Sequence, residues 1–484
     1  MPPPTITSCI GSPTFDPAKA VHDAETHQRA IQLLRDENNV EKAIRTWFGI
    51  PEGEDKYVYR AIVGIRLGQV QKVVEGDVVR RGLEMADGGV EFVYGNGENR
   101  LRWYQCPEAP SDIVAYTSIF QSATNTASTL KSFLSNARKS SLRQRAASHL
   151  VAKRFFLPSH PLTPVLSSIP RCKQPPALNP ALDFWEWTCQ LLAWCGPLRE
   201  GQGDGGGGGK SHQDGGGAGE SRNEGLKVSG NDAGRQAATG QKRGAGWGLQ
   251  SGSHHLLPVM MHHFGCVVPT HESLMIIKTL AQGEGGKKGP NKKGHKKVAD
   301  IGSGNGYWAM MLRTYGVEVD AVDSMMSEWL VLSLPPSLTQ NAIHTYLRVL
   351  TATRRRTTWI PDTIVQTGTG YLAAHPNHDG LVLLLVYPVV GGKLTSTVEG
   401  SFTRDLVAAY KGDTLVVVGT QNHNGYTSFS NMTMDEYMGR EHAGEWVKTV
   451  QIAMPSFAGK DEAMFVFQRL PRGKEKPAGS VPWE

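Results

Sequence analysis

The residue types and spacing best suited to chemistry occur in one segment, Val298 to Gly306, which reads VADIGSGNG. A short apolar run, typical of a buried strand, leads here into a turn with glycine at 302, 304 and 306. Glycine permits positive φ and lets a ligand approach the backbone closely. Tyr307 to Thr314 then predicts a helix, whose free N–H groups at the first turn can bind an anionic group. The segment predicts a ligand site made of Asp300, Gly302, Ser303, Gly304, Asn305 and Gly306.

A carboxylate follows at the end of the next predicted strand. Val317 to Asp323, reading VEVDAVD, predicts a strand that ends in an acid about 20 residues after the first glycine. An acid at that position suits a pair of ribose hydroxyls. Asp320 lies inside the strand and should aim differently, so Asp323 is the predicted ribose ligand.

The glycine spacing discriminates between two nucleotide cofactors. A dinucleotide fingerprint, G-x-G-x-x-G, would place its third glycine at position 307, where this chain has Tyr307. The pattern D-x-G-x-G-x-G, followed by a strand ending in Asp, resembles motif I and the acidic loop of class I S-adenosylmethionine methyltransferases. The resemblance implies S-adenosyl-L-methionine as cofactor, with its methionine part in the glycine turn and its ribose on Asp323. It covers about residues 297–470 and extends to poorly characterised fungal and protist methyltransferase-like proteins.

Downstream, short apolar runs alternate with helical stretches, which indicates an α/β sheet. The predicted strands are Asp362–Val365, Gly380–Val386, Asp413–Gly419, Trp446–Ile452 and Met464–Arg469, and the predicted helices are Ser401–Tyr410 and Met434–Trp446. With the resemblance, this order predicts an α/β fold: a Rossmann-like seven-stranded methyltransferase sheet with helices on both faces. The last hairpin of such a sheet is antiparallel.

Loops at the carboxyl edge of an open α/β sheet bind its ligands. Gln366 and Thr367 are predicted to meet the adenine, where the family often has an acid. His423 is the predicted general base, because a neutral imidazole can take a proton from a hydroxyl or amine. Its alternative role is that of a loop histidine bonded to solvent or backbone. Of the (Asp/Asn)-Pro-Pro-(Tyr/Phe) motif of nucleic-acid amino-methylating enzymes, Tyr387-Pro388 retains only the proline, which argues against that activity.

The rest of the chain predicts a division into four parts. Residues 1–200 predict a mostly helical region, with helical patterns over Pro17–Trp47 and Asp183–Leu198. Residues 201–253 contain GQGDGGGGGK and almost no large apolar residues, which indicates a disordered linker or insertion. The predicted methyltransferase domain spans 254–470, with its core at 297–470, and residues 471–484 predict a flexible tail.

Composition excludes several other classes of protein. The six cysteines form no CxxC pair, and the histidines at 254, 255, 262 and 263 lack partners at metal-ligand spacing, so no metal is predicted. The longest apolar run is too short to span a bilayer, and the N-terminus has no secretory pattern, which predicts a cytoplasmic or nuclear protein. A net charge of +6 permits an anionic partner without requiring one. The basic runs Lys287–Lys297 and Arg354–Arg356 suit solvated loops as well as phosphate.

The sequence therefore predicts an S-adenosylmethionine-dependent methyltransferase that acts on a small-molecule or protein acceptor, whose identity the sequence leaves open. A catalytically inactive methyltransferase-like scaffold is the alternative from another class. Methylation of nucleic acid is less favoured, and Tyr307 disfavours an NAD-linked oxidoreductase.

Overall fold

The computed structural model describes residues 15–52, 59–60, 64–76, 110–192, 196, 254–283, 295–324, 359–388, 400–421, 429, 432–457 and 460–470. The predicted linker at 201–253 and the predicted tail at 471–484 lie outside these residues.

Eight strands of the described chain form one sheet. They are β3 (Phe155–Phe156), β4 (Lys297–Ile301), β5 (Val319–Asp323), β6 (Ile364–Val365), β7 (Leu381–Val386), β8 (Thr414–Thr420), β9 (Trp446–Ala453) and β10 (Glu462–Arg469). Their spatial order is β3-β9-β10-β8-β7-β4-β5-β6. Strands β6, β5, β4, β7 and β8 run parallel, while β10 is antiparallel to both β8 and β9. The fold is therefore α/β and Rossmann-like, with the antiparallel closing hairpin that the resemblance implies.

The strands at the centre of the sheet are apolar on both faces because helices cover both. Strand β7 reads LVLLLV, and its first five residues are buried. One face packs against α10 (Leu256–His263), α11 (His271–Gln282) and α12 (Tyr307–Thr314). The other packs against α13 (Gly368–Ala374), α14 (Ser401–Ala409) and α15 (Met434–Glu441). Continuous apolar runs of this kind are typical of parallel strands buried on both sides.

The chain before this sheet is mostly helical, as predicted. Its helices are α1 (Pro17–Ala20), α2 (Ala24–Glu37), α3 (Val40–Phe48), α4 (residues 67–76), α5 (Pro110–Thr117), α6 (Thr126–Ser135), α7 (Leu142–Lys153), α8 (Thr163–Leu166) and α9 (Pro180–Leu191). Strands β1 (Tyr59–Arg60) and β2 (Gly64–Ile65), of two residues each, pair antiparallel. Trp185 and Trp187 are buried in the core as predicted, whereas Trp194 lies outside the described residues.

The single helical pattern over Pro17–Trp47 is three helices in the structure. Asn38 ends α2 in the left-handed region at φ 50°, and Asn39 begins α3 by accepting a hydrogen bond from the backbone N–H of Lys42. Asparagine favours both the left-handed C-cap and the N-cap position. The pair Asn38-Asn39 therefore breaks a pattern whose apolar spacing continues across it.

Strand β3 adds an eighth strand to the seven that the sequence predicts. Phe155 and Phe156 pair antiparallel with Gln451 and Val450 of β9, at the edge of the sheet. Beside it, Arg154 forms an ion pair with the buried Glu272 of α11. A segment of two residues is too short for its apolar pattern to predict a strand. The pairing forms where the helical region packs on the sheet. None of the helices in the described part of the chain combines the length and apolar composition that a membrane crossing requires.

Candidate functional site

The glycine turn lies at the carboxyl end of β4 and is closed against the neighbouring strand. The backbone N–H groups of Gly302 and Ser303 both donate to the carbonyl oxygen of Val322, at 2.7 and 3.1 Å. Gly302, Gly304 and Gly306 have φ of 78°, 59° and 78°. That conformation costs about 1–2 kcal/mol for a residue with a Cβ, so the backbone conformation favours glycine at all three positions.

Two of these glycines are also required by space. A Cβ on Gly302 would stand 3.3 Å from Cζ of Phe402 in α14, and one on Gly306 would stand 2.5 Å from Cγ1 of Ile360. Gly306 is also the residue from which α12 begins. The turn therefore packs closely against Phe402 and Ile360.

Asp323, the predicted ribose ligand, is bonded to the turn. Its Oδ2 accepts a hydrogen bond from the backbone N–H of Gly304 at 2.9 Å, and its carbonyl oxygen accepts one from the N–H of Gln366 at 3.2 Å. Asp320 points to the opposite face, where it accepts a hydrogen bond from the Tyr371 hydroxyl at 2.6 Å and pairs with Lys297. The structure thus brings Asp323 together with the turn and keeps Asp320 away from it.

Asp300 is a carboxylate buried without a partner. The residue is 0% exposed, and neither carboxylate oxygen has a hydrogen bond among the described residues. Burial, reinforced by the nearby charge of Asp323, raises the pKa of Asp300 to about 7. A buried carboxylate without a hydrogen bond costs stability. Such a group at a glycine turn fits a site whose ligand supplies the missing cation.

The two remaining turn residues differ in how their side chains are used. The Ser303 hydroxyl is buried and has no hydrogen-bond partner among the described residues. The Asn305 side chain donates to the carbonyl oxygen of His262 at 3.4 Å and accepts from the backbone N–H of Tyr307 at 3.1 Å. Asn305 ties the turn to α10 and to the first residue of α12, whereas the Ser303 hydroxyl makes no such link among the described residues.

The residues predicted to meet adenine follow β6. Gln366 is half-buried, and the exposed Thr367 caps α13 by accepting a hydrogen bond from the N–H of Gly370 at 3.2 Å. The hydrogen bond from the backbone N–H of Gln366 to the carbonyl oxygen of Asp323 places Gln366, and Thr367 after it, beside the turn. His423, the predicted general base, lies outside the described residues, as do Arg354–Arg356 and most of the basic run Lys287–Lys297.

The sheet edge also holds a polar cluster that the sequence did not predict. Tyr387 follows β7 directly, and Lys460 and Glu462 stand at the start of β10. Lys460 Nζ donates a hydrogen bond to the Tyr387 hydroxyl at 2.8 Å and lies 3.8 Å from a carboxylate oxygen of Glu462. Lys460 is 3% exposed and Glu462 is 1% exposed, so the ion pair is buried.

Burial drives both charged members of this cluster toward their neutral forms. It lowers the pKa of Lys460 against the opposing effect of Glu462, and it raises the pKa of Glu462 to about 7. In the sequence the run Lys460-Asp461-Glu462 looks like a solvated charge run before an apolar strand. The one sign of its burial in the sequence is the apolar strand that follows the charged run directly.

The comparisons with known proteins add little to this geometry. No protein-family model matches the chain, and no curated protein matches it. Among solved structures, the chain is similar to an rRNA methylase from Streptococcus thermophilus, with 13% identity over 36% of this chain and 88% of that one, at a TM-score of 0.20. At so low a TM-score, the assignment to the class of Rossmann-like α/β proteins rests on the strand order alone.

Proposed function

We propose that this protein is an S-adenosylmethionine-dependent methyltransferase that acts on a small-molecule or protein acceptor. The observation that carries the proposal is the carboxylate of Asp300, which is buried beneath a turn of three left-handed glycines and has no hydrogen bond among the described residues. S-adenosylmethionine has an α-ammonium group and a ribose, and it supplies an activated methyl group on a positively charged sulfur. Asp300 suits the ammonium group, and Asp323, at the end of β5, suits the ribose.

The residues of the turn fit this cofactor. Gly302, Gly304 and Gly306 would hold its methionine part against the backbone, and the Ser303 hydroxyl offers a further polar contact. Gln366 and Thr367, beside Asp323, would meet the adenine. Because the cofactor already carries the activated group, the protein's own contribution is to align the acceptor and to remove its proton.

A dinucleotide cofactor fits the same turn less well. The position of the third fingerprint glycine is occupied by Tyr307, whose buried hydroxyl donates to the side chain of Asn179 at 2.8 Å. A glycine there serves close packing between helix and strand. Tyr307 instead fills that space with a large side chain held by the helical region.

Calorimetric titration of the full chain with S-adenosylmethionine and S-adenosylhomocysteine tests the proposal. We expect micromolar dissociation constants for both, and no heat on titration with NAD. Absence of binding in protein shown to be folded by circular dichroism would refute the cofactor assignment and leave the scaffold alternative.

Replacing Asp323 with alanine should weaken binding of S-adenosylhomocysteine more than tenfold, or by more than about 1.4 kcal/mol. The variant loses both the proposed ribose contact and the hydrogen bond that Gly304 donates. Asp320→Ala is the matched control, because it removes an acid of the same strand that points to the other face. Equal affinity of Asp323→Ala and wild type in the titration would remove Asp323 from the site.

A further inference from the structure

In the parallel part of the sheet the strand order reverses at β4, and two polar features flank this place. From β4 the chain continues through β5 and β6 to one edge, and it returns to β7 on the other side of β4. In open α/β sheets ligands bind at such a switch point, outside the carboxyl ends of the strands. The glycine turn follows β4, and Tyr387 follows β7. Tyr387 therefore lies across the switch point from the proposed cofactor turn.

Tyr387 has a strained backbone at this position. Its φ is 50°, in the left-handed region, where a bulky residue is an outlier. Its N–H donates to the carbonyl oxygen of Val418 in β8 at 2.6 Å, which helps to hold the strained conformation. Strain of this kind costs about 1–3 kcal/mol and is concentrated at functional sites.

One partner of the Tyr387 hydroxyl is the buried ammonium group of Lys460. The Lys460 ammonium lies 2.8 Å from the hydroxyl and 4.6 Å from the ring centre. Strand β10 runs antiparallel to β8, and its first residue, Glu462, pairs with Thr420 at the carboxyl end of β8. Lys460, two residues before β10, therefore lies at the same carboxyl edge of the sheet as the glycine turn.

We propose that Tyr387, as a phenolate, receives the proton of the methyl acceptor, and that Lys460 is a positioning residue whose hydrogen bond stabilises that phenolate. The inference rests on the proposed methyltransferase function and deepens it. It assigns the acceptor side of the site to the end of β7, one strand away from the cofactor turn.

The step balances in atoms and charge. The bond from the acceptor atom to the methyl carbon forms as the carbon–sulfur bond breaks, and the sulfonium becomes a neutral thioether. The acceptor's proton passes to the oxygen of Tyr387 in its phenolate form, to which Lys460 Nζ donates the 2.8 Å hydrogen bond. Glu462, whose carboxylate lies 3.8 Å from Nζ, pairs with this ammonium group.

This arrangement selects a class of acceptor. A proton-accepting phenolate is useful only when the attacking atom carries a proton that must leave, as in a hydroxyl or an amine N–H. An acceptor such as a thioether or a pyridine-type nitrogen needs no such group. We therefore assign the acceptor to the hydroxyl or amine class.

Fluorine NMR of the full chain labelled with 3-fluorotyrosine tests the inference without a known acceptor. The Tyr387 signal is identified by its loss in Tyr387→Phe. We expect this signal to differ between the S-adenosylmethionine and S-adenosylhomocysteine complexes, because only the first places a charged methyl sulfonium beside it. We also expect Lys460→Met to move the midpoint of its pH titration upward by a unit or more, because the phenolate loses its hydrogen-bond donor.

Tyr410 is the control tyrosine. Its hydroxyl donates to the carbonyl oxygen of Leu381, at the other end of β7, so its signal should be the same in both complexes. If Lys460→Met fails to fold, the double variant with Glu462→Gln removes both buried charges and serves instead. One position for the Tyr387 signal in both complexes would overturn the inference, as would an unchanged midpoint. Failure of both cofactors to bind the wild type would instead overturn the proposed function.

Discussion

Asp300→Asn is expected to stabilise the cofactor-free protein and to weaken S-adenosylmethionine binding at least a hundredfold. These opposite effects have one cause. The carboxylate is fully buried and lacks a hydrogen bond among the described residues, so the protein without cofactor bears the cost of its charge. A shift of its pKa from 3.8 to about 7 corresponds to about 4 kcal/mol. The buried amide of the variant also lacks hydrogen bonds, which costs about 1–3 kcal/mol. The net gain in the free energy of unfolding is therefore about 1–3 kcal/mol.

The pH dependence of stability follows from the raised pKa. A carboxyl that binds its proton more tightly in the folded state makes the protein lose stability as pH rises from about 4 to about 7, and not beyond. The advantage of Asp300→Asn in the free energy of unfolding should therefore be small at pH 5 and full at pH 8. Urea denaturation of both proteins at the two pH values measures it.

The affinity for the cofactor should depend on the same ionisation, but it should rise with pH where the stability of the cofactor-free protein falls. Binding of the ammonium group requires ionised Asp300, so the wild-type affinity should fall by up to tenfold per pH unit below pH 7. The affinity of Asp300→Asn should be weak and flat over this range, because a buried ion pair is lost when one partner is removed. Calorimetric titration with S-adenosylhomocysteine at pH 6 and pH 8 checks this. A flat wild-type profile would argue that the ligand does not pair with Asp300.

Gly306→Ala is expected to lower the free energy of unfolding by about 2–5 kcal/mol and to weaken cofactor binding. Two costs add at this position. The left-handed backbone, at φ 78°, costs about 1–2 kcal/mol for any residue with a Cβ. The added Cβ also meets Cγ1 of Ile360 at 2.5 Å, and overpacking costs about 1–3 kcal/mol.

Gly316→Ala separates these two costs. Gly316 has nearly the same backbone, at φ 76°, but a Cβ there meets nothing within 4 Å. We expect it to lose only the backbone contribution, about 1–2 kcal/mol, and to leave cofactor affinity unchanged. Urea denaturation and titration with S-adenosylhomocysteine measure both effects. Equal losses in the two variants would mean that crowding at the turn is unimportant.

Much of the Rossmann-like sheet could be predicted from sequence because its signals are local. The helix predicted over Tyr307–Thr314 has those bounds in the structure, and β7 differs from its prediction by one residue. The acid of Asp323 stands at the end of β5, as its position in the pattern indicates. An unbroken apolar run and a glycine turn impose their conformation through neighbours in the chain, so no distant contact is needed to recognise them.

The sequence by itself determined the strand–turn–helix segment, the succession of strands along the chain and the residue types of the proposed cofactor site. Only the tertiary structure decided which polar groups are withdrawn from water. Asp300 has no hydrogen-bond partner among the described residues, the Asn305 side chain bonds to α10, and Lys460 reaches Tyr387 across 73 positions of the chain. Burial and pKa depend on what packs around a side chain, and those neighbours come from segments far apart in sequence. A charged run such as Lys460-Asp461-Glu462 therefore looks solvated until the helical region and the sheet close over it.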